Sequence, residues 1–276
     1  MKNIILLTKF TLREAFARKI FIAFAALSTF TLLVFLLLFL SLDVSDMTGV
    51  VSNGRSVNDF QPGMSGAISE ALKMLIIAPL YGGGLFLSIF SAASFIPNML
   101  EKGNIDLLLS KPVSRSQIIW GKFFGGFIVV LLNIAYLVGG LWLLLGFKFG
   151  VWDADLLSTI ITISFTFAVL YSLIILIGIL TKSSIFAMMV SYLIFFILSP
   201  LLASRGSLAA LIDNSFVETI LDALYYIVPQ TSELGSITFS LATGSGVQDY
   251  QPIIVSSLFM ILTIAAAIIT FSKKDY

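Results

Sequence analysis

The polar and apolar positions of this chain fall into long blocks, not into the short alternations of a soluble fold. Six blocks are almost wholly apolar: 20–42, 75–96, 118–147, 156–180, 185–202 and 252–271. Crossing about 30 Å of hydrocarbon takes about 20 such residues on a helix, and in lipid only a helix or a closed barrel satisfies its own backbone. The pattern predicts an all-α integral membrane protein with six transmembrane helices. The first block is longer than the apolar core of a cleaved leader, and no small-residue cleavage site follows it, so it reads as a span.

The segments between the blocks carry their own pattern. On a helix, Lys2, Lys9 and Arg13 share one face of residues 1–19, with Ile4, Leu7, Thr11 and Ala15 roughly opposite. That suits an N-terminal interfacial helix lying along the membrane surface; the alternative is an extension of the first span. Residues 43–73 read as a polar loop with scattered glycines. In 203–250, an apolar-rich part over 208–228 is interrupted by Asp213, Glu218 and Asp222 and ended by Pro229. An aspartate at the centre of a span costs about 2.5–3.5 kcal/mol. This part therefore predicts external re-entrant helices before the last span, not a seventh crossing. Residues 230–250, rich in Ser, Thr and Gly, read as irregular. No second domain is expected within 1–276.

Composition agrees and narrows the choices. Hydrophobic residues make up 58% and charged residues 11% of the 276, with a mean hydropathy of +1.05; a soluble domain carries about 25% charged residues. The net charge of +1 gives no field for nucleic acid. Its distribution sets the orientation. With the N-terminus in the cytoplasm, Lys2, Lys9, Arg13, Arg18, Lys19, Lys102, Lys111, Arg115, Lys122, Lys182, Lys273 and Lys274 all lie inside, leaving Arg55, Lys73, Lys148 and Arg205 outside. This is the positive-inside arrangement of a multi-pass protein of the plasma (inner) membrane, with both termini cytoplasmic.

Cysteine and histidine are absent. Disulfides, thiolate and imidazole metal sites, and Ser-His-Asp or Cys-His catalysis are excluded. The spans hold no acid, and the single charge placed in one, Lys122, sits near an end where it can snorkel to the headgroups. Proton- and ion-coupled carriers usually hold ionisable groups at depth, so energy for transport is expected from outside the membrane. It does not come from this chain: Gly121-Lys122 is followed by Phe123, and Ser116 stands where a phosphate-binding loop needs its first glycine. Neither an enzyme activity nor a bound cofactor or metal is expected. Asn133, Tyr136, Tyr171 and Tyr192 within spans suit helix–helix hydrogen bonds. Gly82-Gly83-Gly84, and Gly121 with Gly125 four residues on, suit close helix packing or dimerisation.

The most informative segment is the loop over 97–117. Charges flank an apolar stretch over 105–109, Pro112 breaks it, and Ser114 can cap the next helix. A connecting loop has no need of Leu107, Leu108 and Leu109; a short amphipathic helix suited to a protein groove or to the inner leaflet does. Here the chain resembles a family. Glu101 and Gly103, the Leu107–Leu109 run, Ser110, Lys111, Pro112, Val113, Ser114 and Arg115, then Gly121 and Lys122, resemble the permeases of ABC-2 type transporters. Within these the pattern is most similar to the NosY-like branch, labelled the permease component of multi-copper enzyme maturation. The absence of His and Cys departs from that label, leaving methionine sulfur as the one usual copper ligand.

The resemblance implies a membrane-spanning permease subunit of an ABC exporter that pairs with a second permease subunit as a homo- or heterodimer. It implies a separate ATPase subunit, carrying ATP and Mg, that docks on the 97–117 loop through a cytoplasmic coupling helix. Leu107, Leu108 and Leu109 would anchor that helix; Glu101, Lys102, Gly103, Asp106, Lys111, Pro112 and Arg115 would orient it or pair with the ATPase. The alternatives from other classes are a membrane anchor or mechanotransducer coupled to an ATPase, and a carrier or channel that works without ATP.

Overall fold

Residues 155–181 hold 27 residues with an acid only at the start, and a helix there buries most of its surface (α6, Asp155–Thr181). It ends where Lys182 adopts a left-handed φ of 55°, its N–H returning to the Gly178 carbonyl. Around α6 the other elements assemble. The computed structural model describes residues 2–17, 20–41, 62–100, 113–149, 152–212 and 215–274. They are α1 (Lys2–Ala17), α2 (Ile20–Ser41), α3 (Pro62–Ala92), α4 (Phe95–Met99), α5 (Arg115–Phe149), α6, α7 (Ser184–Tyr192), a π segment (Leu193–Leu198), α8 (Ser199–Ala203), α9 (Arg205–Ile212), α10 (Ser215–Ile227), α11 (Thr231–Ala242) and α12 (Gln251–Lys273).

The described residues are all-helical in their regular structure, with no strand. Five helical stretches are long and apolar enough to cross a membrane: Ile77–Met99, Arg115–Lys148, Asp155–Thr181, Ser184–Ala203 and Gln251–Lys273; in α2 the apolar stretch is the shorter Phe24–Leu38. Outward faces are apolar too, with Ile161 73% and Leu262 67% exposed. This is the surface of a protein that meets lipid, where apolar side chains have no reason to hide.

Two local readings of the sequence change. Residues 62–73, read as loop, form the first turns of the 31-residue α3; Met64, Ala67, Ile68, Ala71 and Leu72 recur there at helical spacing. Residues 231–242, read as irregular, form α11. Its helix is stabilised less by propensity than by partners for its end. The Ser232 N–H donates to Ser199 Oγ at 2.9 Å, the Gln230 N–H donates to Ser256 Oγ at 3.2 Å, and Tyr81 Oη donates to the Thr231 carbonyl. Ser199 of α8 and Ser256 of α12 thus accept from two of the N–H donors that a helix start leaves orphaned, and Tyr81 of α3 adds a donor to the Thr231 carbonyl. Farther along, the Thr238 and Thr162 hydroxyls stand 3.0 Å apart between α11 and α6. The π segment just before Pro200, a residue with no N–H to continue the ladder, carries the chain to the buried Ser199.

The four polar residues expected to join helices do so. Ser28 Oγ donates to Asn133 Oδ1 at 2.5 Å, Tyr136 and Thr29 hydroxyls lie 3.1 Å apart, Tyr171 Oη donates to the Lys122 carbonyl at 3.2 Å, and Tyr192 Oη donates to the Phe86 carbonyl at 2.8 Å. Trp152 covers the far end of α5, its ring 4.9 Å from Trp142 and 5.4 Å from Phe147.

Candidate functional site at the α1 end of the bundle

α5 has 35 residues, about 52 Å at 1.5 Å per residue, and so exceeds a 30 Å hydrocarbon layer. Its first turns, with α1, α4 and the ends of α6 and α12, form one end of the bundle. α5 begins with a reciprocal cap. The Gln117 N–H donates to Ser114 Oγ at 3.3 Å, and the Ser114 N–H donates to Gln117 Oε1 at 3.2 Å. Each side chain satisfies a backbone donor that the helix start leaves open.

Arg115 at the first helical position turns away from its own helix. Its Nη1 donates to the carbonyls of Phe271, Ser272 and Lys274, the first two at 2.9 and 3.1 Å, and its guanidinium stands 5.9 Å from the centre of the Phe271 ring. Lys274 repeats the device one helix on. Its Nζ donates to the Ile179 and Leu180 carbonyls at 2.7 and 3.2 Å. Each cation meets the negative end of a helix dipole and the carbonyls that end leaves unpaired. The start of α5 is thereby tied to the end of α12, and the end of α12 to the end of α6. α4 is packed into the same region: a Cβ built on Gly178 of α6 would lie 3.2 Å from Ile96 Cγ2 and 3.6 Å from Pro97 Cδ.

α1 lies against this assembly. Leu7 packs over Gly121 and Thr11 over Gly125, where a Cβ would come 2.6 Å from Thr11 Cγ2. The two contacts fall in the same order along both helices, so α1 follows α5 in the same direction there. Glu14 pairs with Lys122 Nζ at 2.6 Å, and Lys122 is only 4% exposed. Lys122 therefore does not snorkel to the headgroups; a carboxylate from α1 meets it inside the protein. The α1 face carrying Leu7 and Thr11 is the one the pattern set opposite its basic residues, and it is buried on α5, not on lipid.

The two glycine sets play different parts. Gly121 and Gly125 admit α1, and Gly126 admits the Tyr171 ring. At Gly82 and Gly83 a Cβ would meet no described atom within 4 Å, and at Gly84 only Leu80 Cδ1 at 3.9 Å. Of the loop residues singled out in the sequence, Arg115 belongs to the clasp. Glu101, Lys102, Gly103, Asp106, Leu107, Leu108, Leu109, Lys111 and Pro112 lie outside the described residues. Lys274, Glu14, Leu7 and Thr11 were not singled out as site residues. The matching four-residue spacings of Leu7/Thr11 and Gly121/Gly125 were the one signal that could have paired these helices.

At the opposite end Arg205 Nε donates to Asp222 Oδ1 at 2.9 Å, and its guanidinium lies 3.5 Å from the centre of the Tyr225 ring. Burial, then the Glu233 carboxylate, raises the Tyr225 phenol above its ordinary value. Arg205 also stands above its ordinary value: partial burial opposes its charge, and Asp222 and Tyr225 outweigh it. Among the described residues no three acids group as metal ligands.

Long apolar helices tied at one end by charged caps describe a multi-pass membrane protein, and the comparison with families agrees. The model of the ABC-2 family transporter protein matches residues 7–276. No curated protein matches the chain. A match over nearly the whole chain, on an all-helical bundle of apolar spans, places this protein in the ABC-2 family of transporter proteins.

Proposed function

We propose that the chain is the permease subunit of an ABC-2 type exporter, driven by a separate ATPase that docks on the loop between α4 and α5. The observation that carries this reading is the clasp. Arg115 stands directly after that loop and holds the end of α12, and Lys274 carries the link to α6. A push on the loop thus reaches three helices through charge-assisted hydrogen bonds, which are about twice as strong as neutral ones. The charge distribution supports a cytoplasmic α1 end, with both termini inside.

In this reading α2 is the sixth span, at 22 residues, and α9 with α10, which cover most of the 208–228 stretch, forms a re-entrant hairpin on the outer side. The apolar Leu107, Leu108 and Leu109 anchor a coupling helix. ATP and Mg belong to the partner, since the sequence has no phosphate-binding loop. Two copies, or this chain and a relative, complete the pathway, and the apolar spans favour an amphiphilic or hydrophobic cargo, or one extruded between the subunits. The resemblance of the 97–117 loop to the NosY-like branch supports this reading, and the copper label of that branch is not carried over to a chain without His or Cys.

The test is a mild-detergent pull-down of tagged wild type beside Leu108→Asp. Wild type should bring down a stoichiometric soluble subunit that hydrolyses ATP, and the variant should not. Stable insertion with no ATPase, and flux in vesicles without ATP, would overturn the reading in favour of a carrier or channel.

A further inference from the structure

One face of α1 rests on α5 through Leu7 and Thr11. The opposite face is open. Lys9 and Arg13 are exposed there, four residues apart and so one above the other on the helix. At about 100° per residue they form the middle of that face, with Ile5 on one edge and Leu6 and Phe10 on the other. All three apolar residues are exposed, Leu6 at 64%. Lys9 and Arg13 have no hydrogen bond or ion pair among the described residues. Glu14, the one acid of α1, lies on the α5 side and pairs with Lys122, so the outer face keeps its positive charge.

The depth of this face in the membrane follows from α5. Trp152, exposed and packed on Phe147, marks the far end, and such rings settle at the headgroups. From Phe147 back to Gly125 is 22 residues, about 33 Å along the helix, close to the thickness of the hydrocarbon layer. Thr11 rests on Gly125 and Leu7 on Gly121, so Lys9 and Arg13 stand at the headgroups on the α1 side, with Leu6 and Phe10 at the edge of the acyl chains.

We infer that this face of α1 binds an anionic phospholipid, its phosphate held between Lys9 and Arg13 and its chains lying beside Leu6 and Phe10. The guanidinium matches two phosphate oxygens and the ammonium adds a point charge. A head of the phosphatidylglycerol type keeps its negative charge, whereas phosphatidylcholine offsets its own phosphate with an ammonium. The apolar edges, set at the depth of the lipid, favour a lipid over an acidic protein. Binding here needs no ATP and no partner subunit, so it stands or falls separately from the permease reading.

The test uses the purified full chain in a non-ionic detergent with phosphatidylglycerol that carries a photoreactive group beside its head. Labelling should saturate and map to residues 5–13. Unlabelled phosphatidylglycerol should compete about 25-fold better than phosphatidylcholine with the same chains, since each basic residue near an anionic membrane surface is worth about fivefold. Lys9→Gln with Arg13→Gln should erase that preference and leave the unfolding temperature without lipid unchanged; Lys9→Arg with Arg13→Lys should keep it. Equal competition by the two lipids in wild type overturns the inference, a result that depends on no variant. Labelling of Lys182 and Lys273 as strong as that of α1 overturns it by showing attraction to charge at large. Competition by glycerol phosphate equal to that of the lipid overturns it in favour of a site for a free anion. Glutamine variants that keep the lipid preference but lose a soluble subunit overturn it by giving this face to a protein.

Discussion

Replacing glycine by alanine should have opposite signs at two places in this bundle. At Gly125 the new Cβ would lie 2.6 Å from Thr11 Cγ2 and 3.1 Å from Thr11 Oγ1. Carbon atoms rest about 3.5–4.0 Å apart, so α1 must retreat by about 1 Å. Overpacking of this kind costs about 1–3 kcal/mol, and the better helix propensity of alanine returns about 0.5–1 kcal/mol. Gly125→Ala should therefore destabilise by about 1–2 kcal/mol. At Gly82 no described atom lies within 4 Å of the new Cβ, and only the propensity gain is left, up to about 1 kcal/mol. Thermal unfolding in one detergent, followed by the fluorescence of the three tryptophans, reads the difference. At about 2–4 °C per kcal/mol, Gly125→Ala should fall by about 2–8 °C while Gly82→Ala holds or rises. An unchanged Gly125→Ala would show that α1 does not rest on α5 there. A fall at Gly82→Ala equal to that at Gly125→Ala would show that another chain packs on the open glycines.

Further expectations concern single hydrogen bonds. Arg115→Met removes the cap on α12, worth about 2 kcal/mol for a charged donor; hydrogen exchange in the last turn of α12 should speed up about 30-fold, with Arg115→Lys intermediate, and an unchanged rate would dismiss the clasp. Tyr81→Phe deletes the hydroxyl that meets the Thr231 carbonyl; it should cost about 1–2 kcal/mol and expose α11 to proteolysis, while a wild-type pattern of cleavage would argue that α11 is held by other means. Ser114→Ala should lower stability by about 1 kcal/mol through loss of the α5 cap, and Ser114→Asp should restore it in the same melting assay; equal loss in both would speak against capping.

The long apolar helices were legible because lipid demands unbroken runs of apolar residues. The stretches 118–147, 156–180 and 252–271 lie within two or three residues of the ends of α5, α6 and α12. The Ser114 cap was legible because it is local, needing only Ser and Gln three residues apart. What the sequence hid depends on distant partners. α11 has few helix formers, and its start is held by Ser199, Ser256 and Tyr81 from three other elements. Lys122 has a charge that composition alone sends to the headgroups, yet Glu14, 108 residues away, keeps it inside. Arg115 was legible as a cation beside the loop, but that its guanidinium holds the end of α12 depends on a contact 156 residues away. The glycines looked alike because a missing side chain does not say what fills the gap.

The proposed ATPase docks on one surface, the loop over 97–117. The chain has no cysteine, so Leu108→Cys gives a single thiol there for a maleimide photocross-linker. In intact cells an impermeant maleimide should fail to reach that thiol. In native membranes the cross-linker should join the chain to a soluble subunit that hydrolyses ATP and carries a phosphate-binding loop. Labelling from outside, or cross-links to lipid and to other copies of the chain alone, would contradict the docking of an ATPase on this loop.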